Sequence, residues 1–409
     1  MRALIVTASA PPLPGKDVHA TYRRLRMFVS SIARVCPEID IVHFAPPGHW
    51  SLDIDPIELS EIQSSYWGIK VDAVVAPIEP VKPSWSNHAR SIFDASYQGS
   101  FSGFYGQHQI AAALRRNPDY LFVHRITAMI PILRLRKNLP PIFFDLDDVE
   151  HWSVARAALD KSSANRKPVR LLHVPALFWA EYRAARLAQK ISVCSELDRL
   201  YLQKLGFGKG VICIPNSIDI PNIIPSTPKQ STILLLGPLR WPPNADAAER
   251  LISRIWPRVR SKVPAARLII AGDSPQTVRS YASNPIGVEF PGVVPDLEQL
   301  YRESRVICCP ITRGGGTRLK LVEAAAFGKA MVSSTIGAEG LSFEPGTEIL
   351  IRDEDDAMAD ACIRLLTDDA LCEQLGNAAH RKAQLDYDLN KTRDRIQAHM
   401  LESMSPSSS

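Results

Sequence analysis

The run Arg313-Gly314-Gly315-Gly316-Thr317-Arg318-Leu319-Lys320-Leu321-Val322-Glu323-Ala324 follows an apolar stretch, Val306 to Pro310, and opens a segment with helical spacing. Three glycines leave room for the backbone to approach a ligand, and Thr317 has the chemistry of a helix N-cap. The N–H groups at such a helix start attract anions, phosphates above all. Lys320 and Glu323 stand three residues apart, so they share a helix face about one turn, roughly 5 Å, apart. This combination suits a nucleoside diphosphate. Ammonium and amides would hold the diphosphate, and the carboxylate would accept from the ribose hydroxyls. The reading it must displace is an ordinary strand–turn–helix with a surface Lys–Glu pair.

On both sides of this run, short β-rich stretches alternate with longer helical ones, the signature of parallel α/β sheets. In the first half strands are expected at Ala3–Thr7, Ile41–Phe44, Ala73–Ala76, Tyr120–His124, Ile142–Asp145, Ile191–Cys194 and Val211–Ile214. The pattern restarts at Thr232–Leu236 and continues through Arg267–Ala271, Val288–Phe290, Val306–Cys309, Ala330–Ser333 and Ile349–Ile351. Helices are expected between them, among them Asp246–Val263, Thr317–Phe327 and Asp355–Thr367. Pro215-Asn216-Ser217-Ile218-Asp219, followed by Pro221, Pro225 and Pro228, reads as the connection between two domains. The fold expected is therefore α/β, two Rossmann-like doubly wound domains, with a nucleotide at the carboxyl ends of the strands in a cleft between them.

At 409 residues the chain is long enough for two such domains, and 45% hydrophobic with 22% charged residues is the composition of a soluble globular protein. No apolar run approaches a membrane span, and no signal-peptide pattern is read at the N-terminus. The seven cysteines form no CxxC pair, which argues for a reducing compartment and against a metal site. Residues 1–218 carry 26 Lys and Arg against 19 Asp and Glu, whereas 219–409 carry 22 against 24. Arg156 to Lys190 alone holds eight basic and two acidic side chains. A solvated helical face explains that bias nearly as well as an anionic lipid or pyrophosphate carrier does. No aromatics interleave the basic residues as a nucleic-acid module would require, so no nucleic acid is expected.

The second half resembles the retaining glycosyltransferases of family 4, which have the GT-B fold. The landmarks are Leu236-Gly237-Pro238-Leu239-Arg240-Trp241-Pro242-Pro243-Asn244, then Leu268-Ile269-Ile270-Ala271-Gly272-Asp273-Ser274-Pro275, then Phe290-Pro291-Gly292-Val293-Val294-Pro295-Asp296. The glycine run follows, in a Gly-Gly-Gly-Thr-Arg-Leu-Lys version found in one subgroup. The resemblance implies an acceptor domain at 1–218, a donor domain at 219–385 and a helix at 386–402 crossing back to the first domain; the low-complexity stretch 403–409 reads as a disordered tail. It places the nucleotide-sugar on Arg240, Gly272, Val294, Gly314, Gly315, Gly316, Thr317 and Glu323, with His124, Arg318 and Lys320 as catalytic residues. Many members carry Glu-x7-Glu; here the second is Glu323 and the first position holds Gly315, which leaves the donor-sugar contact open.

In the first half, Asp119 to His124 resembles the family strand that ends in a histidine, although a loop or structural histidine is an equal reading. Lys16 and His19, in the first loop, and Asp147, at the end of the next strand, are the acceptor-side candidates. Phe144 to Asp148 is an acidic cluster that more often caps a helix than binds metal. The activity expected is transfer of a sugar from a nucleoside diphosphate-sugar to an acceptor hydroxyl, a saccharide or lipid-linked saccharide in cell-surface polysaccharide synthesis. The family implies retention, no cofactor and no required metal; the cysteines point to the cytoplasm, and the basic first half to peripheral contact with the inner membrane face. A catalytically silent nucleotide-binding scaffold and a sugar-nucleotide epimerase are the alternatives.

Overall fold

A computed structural model describes residues 1–13, 20–78, 84–97, 106–135, 139–159, 167–208, 210–223 and 225–404. The chain forms two compact units, Met1–Pro215 together with Asn390–Ser409, and Asn216–Leu389.

The first unit is built on β1 (Arg2–Thr7), β2 (Glu38–Ala45), β3 (Asp72–Pro77), β4 (Tyr120–His124), β5 (Ile142–Asp147), β6 (Lys190–Val193) and β7 (Val211–Cys213). They pair in the order β3-β2-β1-β4-β5-β6-β7, every pair parallel. Parallel strands need helical crossovers, which cover both faces of the sheet and demand unbroken apolar runs. Tyr-Leu-Phe-Val in β4 and Ile-Phe-Phe in β5 meet that demand, and both strands are buried end to end. The helix Leu389–Met404 belongs to this unit. Ile396 and Met400 on it are buried, and its Ser403 hydroxyl lies 3.1 Å from that of buried Tyr120. Ser403 and Met404, the first two residues of the expected tail, are helical; residues 405–409 lie outside the described residues.

The second unit carries β8 (Thr232–Leu236), β9 (Arg267–Ala271), β10 (Val288–Gly292), β11 (Val306–Cys309), β12 (Ala330–Ser333) and β13 (Leu350–Ile351). Their order, β10-β9-β8-β11-β12-β13, is again wholly parallel. Strand order reverses between β8 and β11, so the loops after these two strands flank the switch point where such sheets take ligands. In the first unit the corresponding pair is β1 and β4.

Two helical expectations are corrected. The stretch 246–263 is not one helix: it starts earlier, at Pro242, and runs Pro242–Arg250, a π segment Leu251–Ile255, then Trp256–Lys262. Pro257 has no N–H to continue an α ladder, and the Trp256 N–H donates to Leu251 O, five residues back. The helix of the glycine run spans Leu319–Ala326 and is preceded by Arg318, so Thr317 is not its cap. The Thr317 hydroxyl instead accepts from Asn216 Nδ2 at 2.9 Å.

Candidate nucleotide site

In the second unit the loop after β11 is organised by Arg318. Its buried guanidinium donates to the carbonyls of Gly315 and Gly316, and to that of Gly314 at 3.0 Å. A trans peptide points its C=O and N–H in opposite directions. Carbonyls drawn toward Arg318 therefore turn the following amides, of Gly315, Gly316 and Thr317, to the other side of the loop. The result is an arc of aligned donors, the arrangement that binds phosphate oxygens. Trp241, from the loop after β8, lies against this turn: a Cβ at Gly314 would sit 3.2 Å from its ring, and Arg318 stacks 5.6 Å from the ring centroid. Gly314 also has φ +102°, so both backbone and space call for glycine there.

Lys320 and Glu323 project from the helix that follows. The Lys320 ammonium donates to Asn244 Oδ1 at 2.7 Å, and burial pulls its pKa below the ordinary lysine value. The Glu323 carboxylate accepts from the Tyr301 hydroxyl at 2.9 Å. Tyr301 is buried and stacked on Phe327 at 5.2 Å between centroids. Arg240 is half exposed and paired with Asp273, and so bridges the loops after β8 and β9. Gly272 has a structural reason for lacking a side chain, since a Cβ there would fall 2.0 Å from Gly237 O. Val294 lies half-buried against the core beyond β10.

The first-unit candidates fare differently. Lys16 and His19 lie outside the described residues. His124 does end β4, but its ring is fully buried, with Nδ1 3.0 Å from Thr7 Oγ1 and Nε2 3.8 Å from Asp145 Oδ2. Burial, reinforced by Arg125, pushes its pKa down to about 3, so it is a neutral ring that orders the end of β1. This burial favours the structural of the two readings given to His124. Asp147, likewise buried, is held between Arg24 at 3.2 Å and Arg125 at 3.3 Å. The same Arg24 forks onto Asp145 at 2.9 and 2.6 Å. Burial alone would lower the Arg24 pKa, but the charges of Asp145 and Asp147 raise it overall. Both Arg125 and Asp147 have positive φ, +72° and +65°, an uncommon strain for residues with side chains. Beside them the half-buried Asp148 has its pKa pushed up to about 7, by burial and then by the charge of Asp147.

Among the described residues, Asp147, Asp148 and Cys194 form one group whose ligand atoms lie within 4.8 Å of one another. The two arginines already neutralise Asp147, which makes that group a poor cation site.

Residues 230–368 match the family described as Glycosyl transferases group 1. A phosphatidyl-myo-inositol mannosyltransferase of Mycobacterium tuberculosis is 30% identical over 216 residues, covering 48% of this chain and 56% of that protein. The chain thus spans about half the length of the curated relatives it matches. Among solved structures, HepE of Anabaena in complex with UDP superposes with a TM-score of 0.65 at 16% identity, over 98% of this chain and 100% of that one. Sucrose-phosphate synthase of Thermosynechococcus elongatus superposes with a TM-score of 0.70 at 15% identity, over 99% and 100%.

The fold is GT-B.

Within this GT-B chain, the matched segment contains the whole arc from Arg240 to Glu323. Sequence reading missed Asn244, Tyr301 and Arg24. Each acts through a partner distant in sequence: 76 residues for Asn244 and Lys320, 22 for Tyr301 and Glu323, and 121 for Arg24 and Asp145. Their own helices, rich in polar residues, gave no hint of which polar side chains are buried.

Proposed function

We propose that the chain is a glycosyltransferase that moves a sugar from a nucleoside diphosphate-sugar to an acceptor hydroxyl. One observation carries this reading: Lys320 and Glu323 stand one turn apart on a helix that follows an amide arc at the switch point of the second sheet. The amides and Lys320 take the diphosphate, on which negative charge grows as the anomeric bond breaks, and donors aimed at growing charge contribute most. Glu323, held by Tyr301, accepts from the ribose. Cations in that role leave no need for a divalent metal. The family 4 resemblance supports retention, with the leaving phosphate taking the acceptor proton, and a hexose as the sugar transferred.

For the acceptor we favour a saccharide or lipid-linked saccharide in cell-surface polysaccharide synthesis, at the cytoplasmic membrane face. A lipid-modifying relative, the mannosyltransferase, agrees with this. So do the exposed Trp152, Leu171, Leu172 and Trp179 on the helices Glu150–Leu159 and Lys167–Leu187. A second reading, a nucleotide-binding scaffold without transfer, is favoured by Gly315 standing where many relatives carry a carboxylate.

The test is Glu323→Gln, read by calorimetry with ribonucleoside diphosphates and their 2′,3′-dideoxy analogues, beside a transfer assay with a panel of donors. Ribonucleotide affinity should fall by roughly 1–3 kcal/mol, the cost of spoiling a charged hydrogen bond, while the dideoxy analogue is indifferent. Equal losses for both would make Glu323 structural. Binding without release of sugar or diphosphate from any donor would favour the scaffold.

A further inference from the structure

Asn244 lies near the start of the helix Pro242–Arg250, with its side chain 2% exposed. Its Nδ2 donates to Pro238 O at 3.0 Å, and its Oδ1 accepts from Lys320 Nζ at 2.7 Å. A carbonyl only accepts and an ammonium only donates, so these two neighbours determine the orientation of the amide. The pair is packed against the turn after β8. A Cβ at Gly237 would fall 2.7 Å from Asn244 Nδ2 and 2.8 Å from Lys320 Nζ, and Gly237 has φ +146°. Turn, amide and ammonium thus form one unit across the two loops that flank the switch point.

We propose that Asn244 is the positioning residue for Lys320, holding the ammonium at the switch point with a neutral acceptor so that its charge remains available to the diphosphate. The inference rests on Lys320 being a diphosphate ligand. A carboxylate at 244 would give the same hydrogen bond but would cancel the charge, and an incoming phosphate would have to displace it. An amide satisfies the buried donor without adding a counter-charge to that of Glu323 one turn away. The lowered pKa of Lys320 agrees, since burial is its largest cause and the amide does not offset it.

The experiment measures affinity for the tightest of UDP, GDP and ADP, and for the matching nucleoside, in the full chain between pH 6.5 and 10. Asn244→Asp should weaken the diphosphate at least tenfold at pH 7.5 and leave the nucleoside within about twofold. The pH at which diphosphate affinity declines should move upward, because the new carboxylate keeps Lys320 protonated. Asn244→Ala, which frees the ammonium without cancelling it, should cost less than the aspartate. Diphosphate affinity unchanged in Asn244→Asp, or nucleoside affinity falling in step with it, overturns the proposal. Lys320→Ala separates the two ideas. If it too leaves diphosphate binding intact, or if none of the three diphosphates binds, the site reading itself fails. If Lys320→Ala weakens binding and Asn244→Asp does not, only the role of Asn244 is lost.

Discussion

Arg318 and Lys320 are two residues apart and have different tasks. The Arg318 guanidinium is committed to the carbonyls of its own loop, whereas the Lys320 ammonium rests on one neutral amide. Arg318→Ala should therefore lower the melting temperature and weaken diphosphate binding together, because the amide arc depends on it. Lys320→Ala orphans only the buried Asn244 Oδ1, so it should lower melting less than Arg318→Ala does while removing roughly 1.5–3 kcal/mol of diphosphate affinity, the value of a charge-assisted bond. Paired thermal melts and calorimetry decide between them; native melting in Arg318→Ala would return that residue to the role of direct ligand. Asp148 provides a second residue-scale test, through pH. Its pKa in the folded chain, about 7, lies above the ordinary 3.8. Its contribution is complete below about pH 4 and is lost as pH rises through 7, since ionisation in place is then required. Asp148→Asn stays neutral, so its stability relative to the native chain should grow between pH 4 and 8. The limit is on the order of 4 kcal/mol, less whatever solvent access restores. Denaturant titrations at pH 5 and pH 8 measure it, and a difference that does not change with pH would mean that Asp148 ionises normally.

At the scale of elements, the strands were the legible part. Interior parallel strands must be apolar along their whole length, so Tyr120–His124, Thr232–Leu236, Arg267–Ala271, Val306–Cys309 and Ala330–Ser333 stand out of the sequence with their true limits. Helix starts were less legible, because a cap is a competition. Thr317 has the right side chain, but Asn216 takes it, 101 residues away in sequence. That Lys320 and Glu323 share a helix was readable from spacing alone, whereas the burial of His124 was not. Its ring is enclosed by the ends of β1 and β5, which only the strand order brings beside β4. The loop after β11 gives the element-scale prediction. Gly314→Ala meets two obstacles, a left-handed φ and the Trp241 ring at 3.2 Å. It should cost roughly 1–3 kcal/mol of stability. Trp241→Ala should relieve only the steric share, so a double-mutant cycle should show the alanines coupled and the pair still less stable than Trp241→Ala alone. Strict additivity would mean that Trp241 does not seat the turn.

For the whole molecule, the consequential feature is that the first unit is discontinuous. Its final helix, Leu389–Met404, is reached only after the second unit has been traversed. Among the described residues, side-chain ties from this helix to the first unit include Arg393 to Ser30 at 3.0 Å, Arg34 to Asp394 at 3.0 Å, Arg395 to Cys213 O at 3.0 Å, Lys190 to Glu402 at 3.0 Å, and Ser403 to Tyr120 at 3.1 Å. Exposed ion pairs contribute little, so the buried Ile396, Met400 and Tyr120 side chains must carry most of the stabilisation. Ile396→Ala should cost about 2–5 kcal/mol, the usual range for emptying a fully buried aliphatic site. That loss belongs to the unit that does not hold the amide arc. Diphosphate affinity, measured well below the melting temperature, should therefore stay within about twofold of native while the first unit's unfolding transition moves down. Arg34→Ala, which removes only an exposed pair, should shift neither quantity. If Ile396→Ala instead weakens nucleotide binding, or leaves melting untouched, the last helix is not an integral part of the first unit's core.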